Sequence, residues 1–395
     1  MFLAIFAKKS TMDTVWLNRY YERKADDLFK KGKVLVILGP RRVGKTELVK
    51  KMIAGYKGEV FSGTGDNFDL REILSSQRLQ AIKSAFNKFD LIFIDEAQRI
   101  PDVGYSIKLL IDNMPGKTVI LTGSSSFDLS GQVGEPLTGR QTQKILFPLS
   151  VIELAGQFGG IHLYEHLEEY LTFGFYPEVL KQKSAVDKTE YLFSIRDSYL
   201  LKDIFDLAEI KHREKIFGLL RLLAYQIGHN VSFNELANNL GIAKQSVERY
   251  ISLLEKSFII KRIGGFSKNL RSEVTKSSRF FFLDLGIRNA IINNFNPLSS
   301  RNDVGMLWEN FMIMERIKKQ HYERIFSNNY FWRTYNRQEI DFIEERGGKL
   351  YGYEFKFGKP KAKAPKQWLS AYPEASFQVV TPDNFLEFLV SNDRS

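Results

Sequence analysis

The eight residues "GPRRVGKT", at positions 39–46, constrain the fold of this chain more strongly than any other stretch. They match the phosphate-binding pattern G-x-x-x-x-G-K-[ST] and directly follow the apolar run "KVLVILG", which predicts a strand, a loop and a helix in succession. Glycine at both ends of the loop lets backbone amides and the helix N-terminus point at a phosphate. Lys45 is expected to reach the β and γ phosphates of a nucleotide, and Thr46 to offer its hydroxyl to Mg²⁺. A chance glycine-rich turn is the alternative, and the strand–loop–helix context argues against it.

The first half of the chain alternates strand-like apolar runs with helix-like segments, which is typical of a parallel sheet covered by helices. One run, "LIFIDEAQ", ends in Asp95 and Glu96, at the end of a strand where ligands bind in such sheets. Asp95 is predicted to join Thr46 near Mg²⁺, and Glu96 to orient or deprotonate the attacking water. Two acids after a strand are otherwise often a helix N-cap, but the phosphate-binding loop favours the catalytic interpretation. The predicted nucleotide-binding residues are Gly39, Pro40, Arg41, Arg42, Val43, Gly44, Lys45, Thr46 and Asp95.

From about Leu17 onward the chain resembles AAA-type ATPases, in particular a bacterial and archaeal group with a C-terminal domain of unknown function. The resemblance implies ATP and Mg²⁺ as cofactors. It also implies a polar sensor at Ser124, in "ILTGSSS", with Ser125 as the alternative. Arg140, in "LTGR", matches the arginine that reaches a neighbouring subunit's nucleotide in related rings, which implies a homo-oligomer, most simply a ring. A surface charge or a contact within its own subunit is the alternative for Arg140.

Composition narrows the class of partner. The 57 Lys and Arg against 46 Asp and Glu leave a formal charge of +11, which favours a polyanion, with nucleic acid as the leading candidate. The absence of cysteine excludes disulfides and thiolate metal sites and fits a reducing compartment, so cytoplasm is expected. The N-terminal "MFLAIFAKKS" is a poor signal peptide and too short to span a bilayer, and Met12 is an alternative start. No membrane association is expected.

A second module is predicted after position 213. "KIFGLLRLLAYQI", "SFNELANNLG" and "AKQSVERYISLLEKSF" have helical spacing, and "FIIKRIGGF" reads as a strand and wing, which together outline a winged helix. Positions 232–280 hold nine Lys or Arg against four Glu, an excess of five positive charges. DNA is predicted to contact the early part of the second helix of the pair, at Lys244, Gln245, Ser246 and Arg249. A spacer or a protein contact is the alternative.

The C-terminal segments "QEIDFIEE" and "LYGYEFKF" read as strands joined through a Gly347-Gly348 hairpin turn. If Arg346 faces Lys349, Asp341 lies across from Glu354, and like charges in that relation are destabilising. A divalent cation, Mg²⁺ or Mn²⁺, held between the two carboxylates would relieve the repulsion. The same register places Glu339 across from Lys356.

Lys356 is predicted to act on a metal-bound water and on phosphate charge. Glu309, on the helical "GMLWENFMIMERI", is expected to point toward the same face. With Asp341, Glu354 and Lys356 it resembles the E…D…E-x-K set of PD-(D/E)XK nucleases, which include archaeal Holliday-junction resolvases. The alternatives are a solvated hairpin face with a weak Glu339–Lys356 ion pair, or a nuclease fold that binds without cleaving.

The predicted fold class is therefore α/β: a P-loop AAA-like parallel sheet with a helical lid, then a winged helix and an α/β nuclease-like domain. The expected boundaries are 1–150 for the ATPase core, 151–212 for the lid, 213–266 for the winged helix, 267–300 for a connector and 301–395 for the nuclease-like domain. The predicted function is ATP-driven DNA processing with a metal-dependent endonuclease, branched DNA being a substrate only by analogy. The alternatives are an ATPase whose C-terminal domain only binds DNA or protein, and a signalling NTPase whose output is oligomerisation.

Overall fold

The computed structural model describes residues 16–124, 136–197, 213–267, 278–334, 338–358 and 363–391. Within these ranges, no helix is long and apolar enough to cross a membrane.

The strands of the first half form one parallel sheet, as the alternating pattern predicts. Its strands are β1 (Val34–Leu38), β2 (Val60–Thr64), β3 (Leu91–Asp95), β4 (Thr118–Gly123) and β5 (Gln141–Ile145). Their spatial order is β2-β3-β4-β1-β5 and every pairing is parallel. The inner strands are buried almost throughout, whereas the edge strands β2 and β5 are only partly buried. Continuous apolar runs suit the inner strands because helices cover both faces of such a sheet.

Helices flank this sheet and continue beyond it. Those of the first half are α1 (Ala25–Leu28), α2 (Lys45–Ile53), α3 (Phe68–Ser75), α4 (Leu79–Phe86) and α5 (Val103–Asn113). The segment predicted as a lid contains α6 (Val151–Phe158), α7 (Gly160–Glu165), α8 (Leu167–Phe173), α9 (Pro177–Lys181) and α10 (Ala185–Ile195). Ser150 and Glu153 start α6 with a reciprocal capping box, which satisfies backbone amides at its N-terminus.

The segment predicted as a winged helix has two helices joined by a tight turn. Its elements are α11 (Arg213–Tyr225), β6 (Asn230–Val231), α12 (Phe233–Leu240), α13 (Lys244–Lys256) and β7 (Ile260–Gly265). Strand β8 (Ser278–Phe282) follows in the segment predicted as a connector. Gly241 ends α12 in the left-handed conformation that glycine adopts readily, so the chain turns into α13. The element order agrees with the predicted outline, and the assignment as a winged helix stays a prediction.

The C-terminal strands pair with strands β6 to β8 to form a second sheet. The C-terminal elements are α14 (Leu285–Ile292), α15 (Val304–Glu323), β9 (Asn328–Arg333), β10 (Glu339–Arg346), β11 (Lys349–Phe355), α16 (Lys366–Ala371), β12 (Ser376–Val380) and α17 (Phe385–Val390). The second sheet has the order β12-β11-β10-β9-β7-β8-β6. The parallel pairing of β7 with β9 therefore joins the predicted winged helix to the nuclease-like segment, and β8 lies within the expected connector.

Helix α15 connects this second sheet to the first. Near its C-terminal end, His321 Nε2 accepts a hydrogen bond from the Ile145 amide of β5 at 3.0 Å. Lys318 Nζ donates to the Leu149 carbonyl at 2.9 Å, and a carboxylate oxygen of Glu315 accepts from the Val151 amide at 2.7 Å. The start of α15 carries Glu309, so one helix spans the distance between the first sheet and the C-terminal pocket described below.

Candidate functional site

The phosphate-binding loop joins β1 to α2 in the predicted way. Gly44 is the N-cap of α2 and has φ of +89°, and Arg42 also has positive φ, which curls the loop. Gly39 passes so close to β5 that a Cβ there would lie 2.1 Å from the Leu146 carbonyl oxygen. Only glycine fits this position, since that contact is with backbone that cannot rotate away.

Lys45 is buried with its ammonium inside the loop. Its Nζ donates to the Gly39 carbonyl at 2.9 Å and to the Pro40 carbonyl at 2.8 Å. These bonds hold the cation beside the loop. The residues around the opening enclose about 560 Å³ and include Arg41, Arg42, Val43, Gly44, Lys45, Thr46, Glu96, Lys181 and Tyr191.

The acidic pair at the end of β3 lies next to the loop. Thr46 Oγ1 donates to Asp95 Oδ2 at 2.8 Å, and Asp95 also accepts a short bond from the Thr122 hydroxyl of β4. A hydroxyl and a carboxylate in contact are hard oxygen ligands of the kind that Mg²⁺ binds together with phosphate oxygens. Thr46 and Asp95 therefore fit the magnesium role that the sequence assigns to them.

Glu96 is held by a neighbour that the sequence reading did not single out. Gln98 Nε2 donates to Glu96 Oε2 at 2.5 Å and to Ser124 Oγ at 3.2 Å. The structure thus links Glu96 to the predicted sensor Ser124 through one amide. Ser125 lies outside the described residues. Gln98 stands in the quoted run "LIFIDEAQ", but only the tertiary contact shows its role.

Arg19, also missed by the sequence reading, ties the loop to the following helices. Its guanidinium bonds the Val43 carbonyl, the Phe147 carbonyl at 2.6 Å and Glu153 Oε1 at 3.0 Å. Burial tends to lower the pKa of Arg19, but the charge of Glu153 raises it above its ordinary value, so the guanidinium stays charged. No spacing rule could find this contact, because the three partners are far apart in sequence.

Arg140 lies at the amino-terminal end of the parallel strands, opposite the end that carries the loop, since its carbonyl accepts from the Val34 amide at the start of β1. Its Nε and Nη2 contact the two oxygens of Asp112 at 2.7 and 3.3 Å. Within the chain Arg140 therefore makes an intrasubunit ion pair. Its role toward a neighbouring nucleotide stays a prediction.

The predicted DNA-contacting residues lie at the start of α13. Lys244, Gln245 and Arg249 are exposed and Ser246 is partly buried, so one accessible surface carries them. Lys244 Nζ lies 3.6 Å from Glu248, an exposed i,i+4 pair of little stabilising effect. Several of the basic positions counted in this segment, Lys268, Arg271 and Lys276, lie outside the described residues.

The predicted hairpin register is confirmed, because Arg346 faces Lys349 and Phe342 faces Tyr353. A register shift between Ile340 and Ile343 in the pairing with β9 adds an irregularity that the sequence did not predict.

The C-terminal pocket, lined by Glu309, Arg279, Arg333, Glu339, Asp341 and Lys356 among others, encloses about 560 Å³. Asp341 Oδ2 accepts from the Phe355 amide at 2.9 Å. Burial and the nearby charge of Glu354 raise the pKa of Asp341 to about 6. Burial and Asp341 likewise raise the pKa of Glu309 well above its ordinary range.

Lys356 contacts Glu354 instead of Glu339, with its Nζ 2.6 Å from Glu354 Oε1. Burial opposes its charge, but the carboxylates of Asp341 and Glu354 raise the pKa of Lys356 overall. A protonated lysine can offset charge on a phosphate but cannot take a proton from water. The other carboxylate oxygen of Glu354, Oε2, is buried and has no hydrogen-bond partner among the described residues.

Arg279 of β8 enters this pocket, and nothing in the sequence indicated it. Its guanidinium lies 3.4 Å from Glu309, 2.9 Å from Glu339 and 3.3 Å from the Asn230 side chain, over the ring of Phe331. Among the described residues, no three His, Asp or Glu side chains are placed to hold a metal ion. The structure therefore brings Glu309 and Asp341 into one pocket but does not assemble the predicted set of Glu309, Asp341 and Glu354 as metal ligands.

Comparisons with known proteins agree with the geometry of the loop. Residues 31–155 match the AAA domain family, and residues 164–298 and 304–391 match two domains of unknown function, DUF8612 and DUF4143. The first match and the arrangement of Lys45, Thr46 and Asp95 support an AAA-type P-loop ATPase domain in this part of the chain, which implies ATP and Mg²⁺.

Two relatives are described only as uncharacterized proteins. An uncharacterized protein of Mycobacterium tuberculosis is 28% identical over 334 residues, which cover 82% of this chain and 70% of that protein. One from Methanocaldococcus jannaschii is 24% identical over 330 residues, covering 79% and 72%. A solved signal transduction ATPase with a tetratricopeptide repeat sensor, from Pyrococcus horikoshii, aligns with 80% of this chain at 15% identity and a TM-score of 0.29. This chain spans about half (49%) of that protein's length.

Proposed function

We propose that this chain is an ATP-hydrolysing, oligomeric DNA-binding protein that couples nucleotide turnover to DNA processing. The observation that carries the proposal is that Lys45, Thr46, Asp95 and Glu96 lie together at the carboxyl end of the parallel strands. The Lys45 ammonium exchanges its two loop carbonyls for phosphate oxygens. Thr46 and Asp95 would hold Mg²⁺, which would neutralise phosphate charge, and Glu96, oriented by Gln98, would position the attacking water.

A DNA partner is supported by charge and its placement. The formal charge is +11, and Lys244 and Arg249 project from the accessible start of α13. Exposed cations on one helix surface suit phosphate contacts. Oligomerisation follows in the proposal from the position of Arg140, which would leave Asp112 to reach a neighbouring subunit's nucleotide.

Within this proposal the C-terminal pocket contacts the DNA backbone, and its role is either endonuclease cleavage or binding without cleavage. For endonuclease cleavage, Glu309, Asp341 and Glu354 would hold Mg²⁺ or Mn²⁺, and Lys356 would offset charge on the scissile phosphate. The Glu354 oxygen without a partner and the raised pKa values of the two acids favour a cation there. For binding without cleavage, the favouring observation is Arg279, which already neutralises Glu309 and Glu339. Cleavage requires that guanidinium to move aside.

The test measures ATP hydrolysis by the full chain with no polymer, with linear or four-way DNA, and with heparin as a polyanion control. DNA stimulation beyond that by heparin is expected. Equal rates in all samples would contradict DNA coupling and favour the signalling alternative.

The same DNA samples, incubated with Mg²⁺ or Mn²⁺ and run on a gel, decide the role of the pocket. Cleavage that is lost in Asp341→Asn but retained in Lys45→Ala would establish a nuclease site independent of ATP. Intact DNA with normal DNA binding would establish the non-cleaving role.

A further inference from the structure

A second groove, at the opposite end of α15 from the C-terminal pocket, is used by none of the roles above. It lies between the edge strand β5, the C-terminal end of α15 and the tip of the β10–β11 hairpin, and encloses about 980 Å³. We call it the β5–α15 groove. Its lining includes Thr142, Lys144, Gln320, His321, Arg324, Phe326, Ser327, Asn328, Glu345 and Arg346.

Positive charge dominates this groove. Within the described parts of the chain, Lys144 and Arg324 belong to no ion pair, and Lys24 is a third cation close enough to act on Lys144. Partial burial and the charges of Arg324 and Lys24 lower the pKa of Lys144, which reflects like charges held together. The carboxylate that lines the groove, Glu345, accepts from Asn328 Nδ2 at 3.2 Å. An anionic ligand would relieve the repulsion between these like charges.

The rim of the groove has two unusual residues. Arg324 ends α15 with φ of +59°, a left-handed conformation that is unfavourable for a side chain of this kind. Two residues later, the ring of Phe326 is 87% exposed, the largest exposure among the large apolar side chains of the described residues. A flat apolar ring beside cations that have no carboxylate partner among the described residues suits a ligand that has both phosphates and planar bases.

We propose that the β5–α15 groove binds a single strand of nucleic acid, with phosphates at Lys144 and Arg324 and an unstacked base on Phe326. This inference rests on the proposed DNA-processing function and names the site at which a separated strand is held. A single strand is favoured over a duplex because its bases are free to stack on an aromatic side chain. A groove of this volume is also far larger than one phosphate ion needs.

The groove is connected to the ATPase loop through hydrogen bonds. Strand β5 forms one wall, and two residues beyond its end Phe147 donates its amide to the Tyr322 hydroxyl at 3.3 Å. The Phe147 carbonyl accepts from Arg19 at 2.6 Å, and Arg19 also bonds the Val43 carbonyl of the loop. A nucleic-acid strand bound in the groove therefore contacts α15, from which Tyr322, Phe147 and Arg19 lead to the Val43 carbonyl of the loop through three hydrogen bonds.

The test is fluorescence anisotropy of a labelled oligothymidylate with the full chain over a range of salt concentrations. Lys144→Gln and Arg324→Gln are each expected to reduce the salt slope by about 0.7, the value for one phosphate contact on a single strand. Phe326→Ala is expected to weaken binding about tenfold, since stacking contributes roughly 1–3 kcal/mol per base. Lys88→Gln and Phe68→Ala, an exposed lysine and a 67% exposed phenylalanine on other surfaces, are the matched controls.

The outcomes separate this inference from the function on which it rests. If the groove variants bind single strands like the parent while Lys244→Glu with Arg249→Glu weakens duplex binding, the groove inference is overturned and the DNA partner stands. If the parent binds neither single nor double strands, both fail. Equal loss in the groove variants and in their controls would show general charge attraction and would also overturn the groove.

Discussion

At the scale of single residues, the nucleotide site separates binding from activation of water. Lys45 supplies charge to phosphate, whereas Glu96 lies beside Gln98 and Ser124, where a water can be oriented. Replacing Lys45 should therefore affect ATP binding, whereas replacing Glu96 should affect hydrolysis of bound ATP.

We predict that Lys45→Ala loses ATP binding or turnover, and that Glu96→Gln binds ATP but hydrolyses it at least about 100-fold more slowly, the usual contribution of a positioned base. Binding of a fluorescent ATP analogue and phosphate release, measured on the same samples, check both effects. Lys50→Ala, an exposed lysine of the same helix, is the control. Normal turnover in both site variants would contradict the assigned roles.

His321 provides a prediction about pH. Burial, with a smaller effect of Lys144, lowers the pKa of His321 to about 4 from an ordinary value of 6.5, so the folded protein keeps it neutral. The unfolded chain then binds the extra proton between about pH 6.5 and 4, and stability falls as the pH is lowered through that window. Asp341, whose pKa is raised, acts in the opposite direction.

We therefore expect the melting temperature of His321→Gln to fall less than that of the parent as the pH is lowered from 6.5 to 4, because glutamine does not titrate. The glutamine side-chain oxygen can still accept the hydrogen bond from the Ile145 amide. Thermal melts of the two proteins at matched ionic strength give the difference, from which the contribution of Asp341 cancels. His229→Gln serves as the control. Parallel pH profiles for parent and variant would contradict the assignment.

At the scale of elements, helix α15 is fixed to the second sheet by a buried ion pair. Arg316 and Glu344 are almost fully buried, with Arg316 Nη2 2.9 Å from Glu344 Oε2, and Gln320 donates to the same carboxylate at 2.8 Å. Arg346 Nε lies 3.1 Å from it as well. The position and tilt of α15, and so the distance between the first sheet and Glu309, depend on this cluster.

We predict that Glu344→Ala destabilises the protein by about 3–5 kcal/mol, because Arg316 is left buried without its main counter-charge. Urea unfolding measures the change, and the exposed Glu374→Ala should stay within about 0.5 kcal/mol of the parent. The double replacement Arg316→Met with Glu344→Leu should recover most of the loss, since no buried charge remains. A small effect of Glu344→Ala alone would show that the pair contributes little to holding α15.

At the scale of the whole molecule, Arg140 raises the question of assembly. Its ion pair with Asp112 is exposed on both sides, so it contributes little and can exchange for a contact with another subunit. Lys45 lies at the carboxyl end of the strands and Arg140 at the amino-terminal end. This separation fits an arginine that contacts a neighbouring subunit's nucleotide better than one that contacts the nucleotide of its own subunit.

We predict that Arg140→Ala and Lys45→Ala are each inactive alone, and that mixing them restores part of the ATPase rate. Mixed oligomers contain an intact Lys45 beside an intact Arg140, which neither parent variant has. Hydrolysis is measured as a function of mixing ratio, in samples whose subunit exchange is shown by energy transfer between labels. Absence of rescue in exchanged samples would argue against action between subunits, and a monomer by light scattering would exclude it.

The sequence alone determined the features that depend on neighbours in the chain. The loop with Lys45 and Thr46 follows from a pattern of eight residues, and the pairing of Arg346 with Lys349 follows from a two-residue turn. Local spacing decides these features because glycine conformations and strand alternation act over a few residues.

Only the tertiary structure decided which distant side chains meet. Arg19 reaches the loop and Glu153 at once, and Arg279 places a guanidinium against Glu309, which the sequence assigned to a metal, and against Glu339. The pairing of β7 with β9, which merges two predicted domains into one sheet, is of the same kind. Such contacts form because buried polar groups and strand edges must find partners, and the partner is chosen by packing in space and not by spacing along the chain.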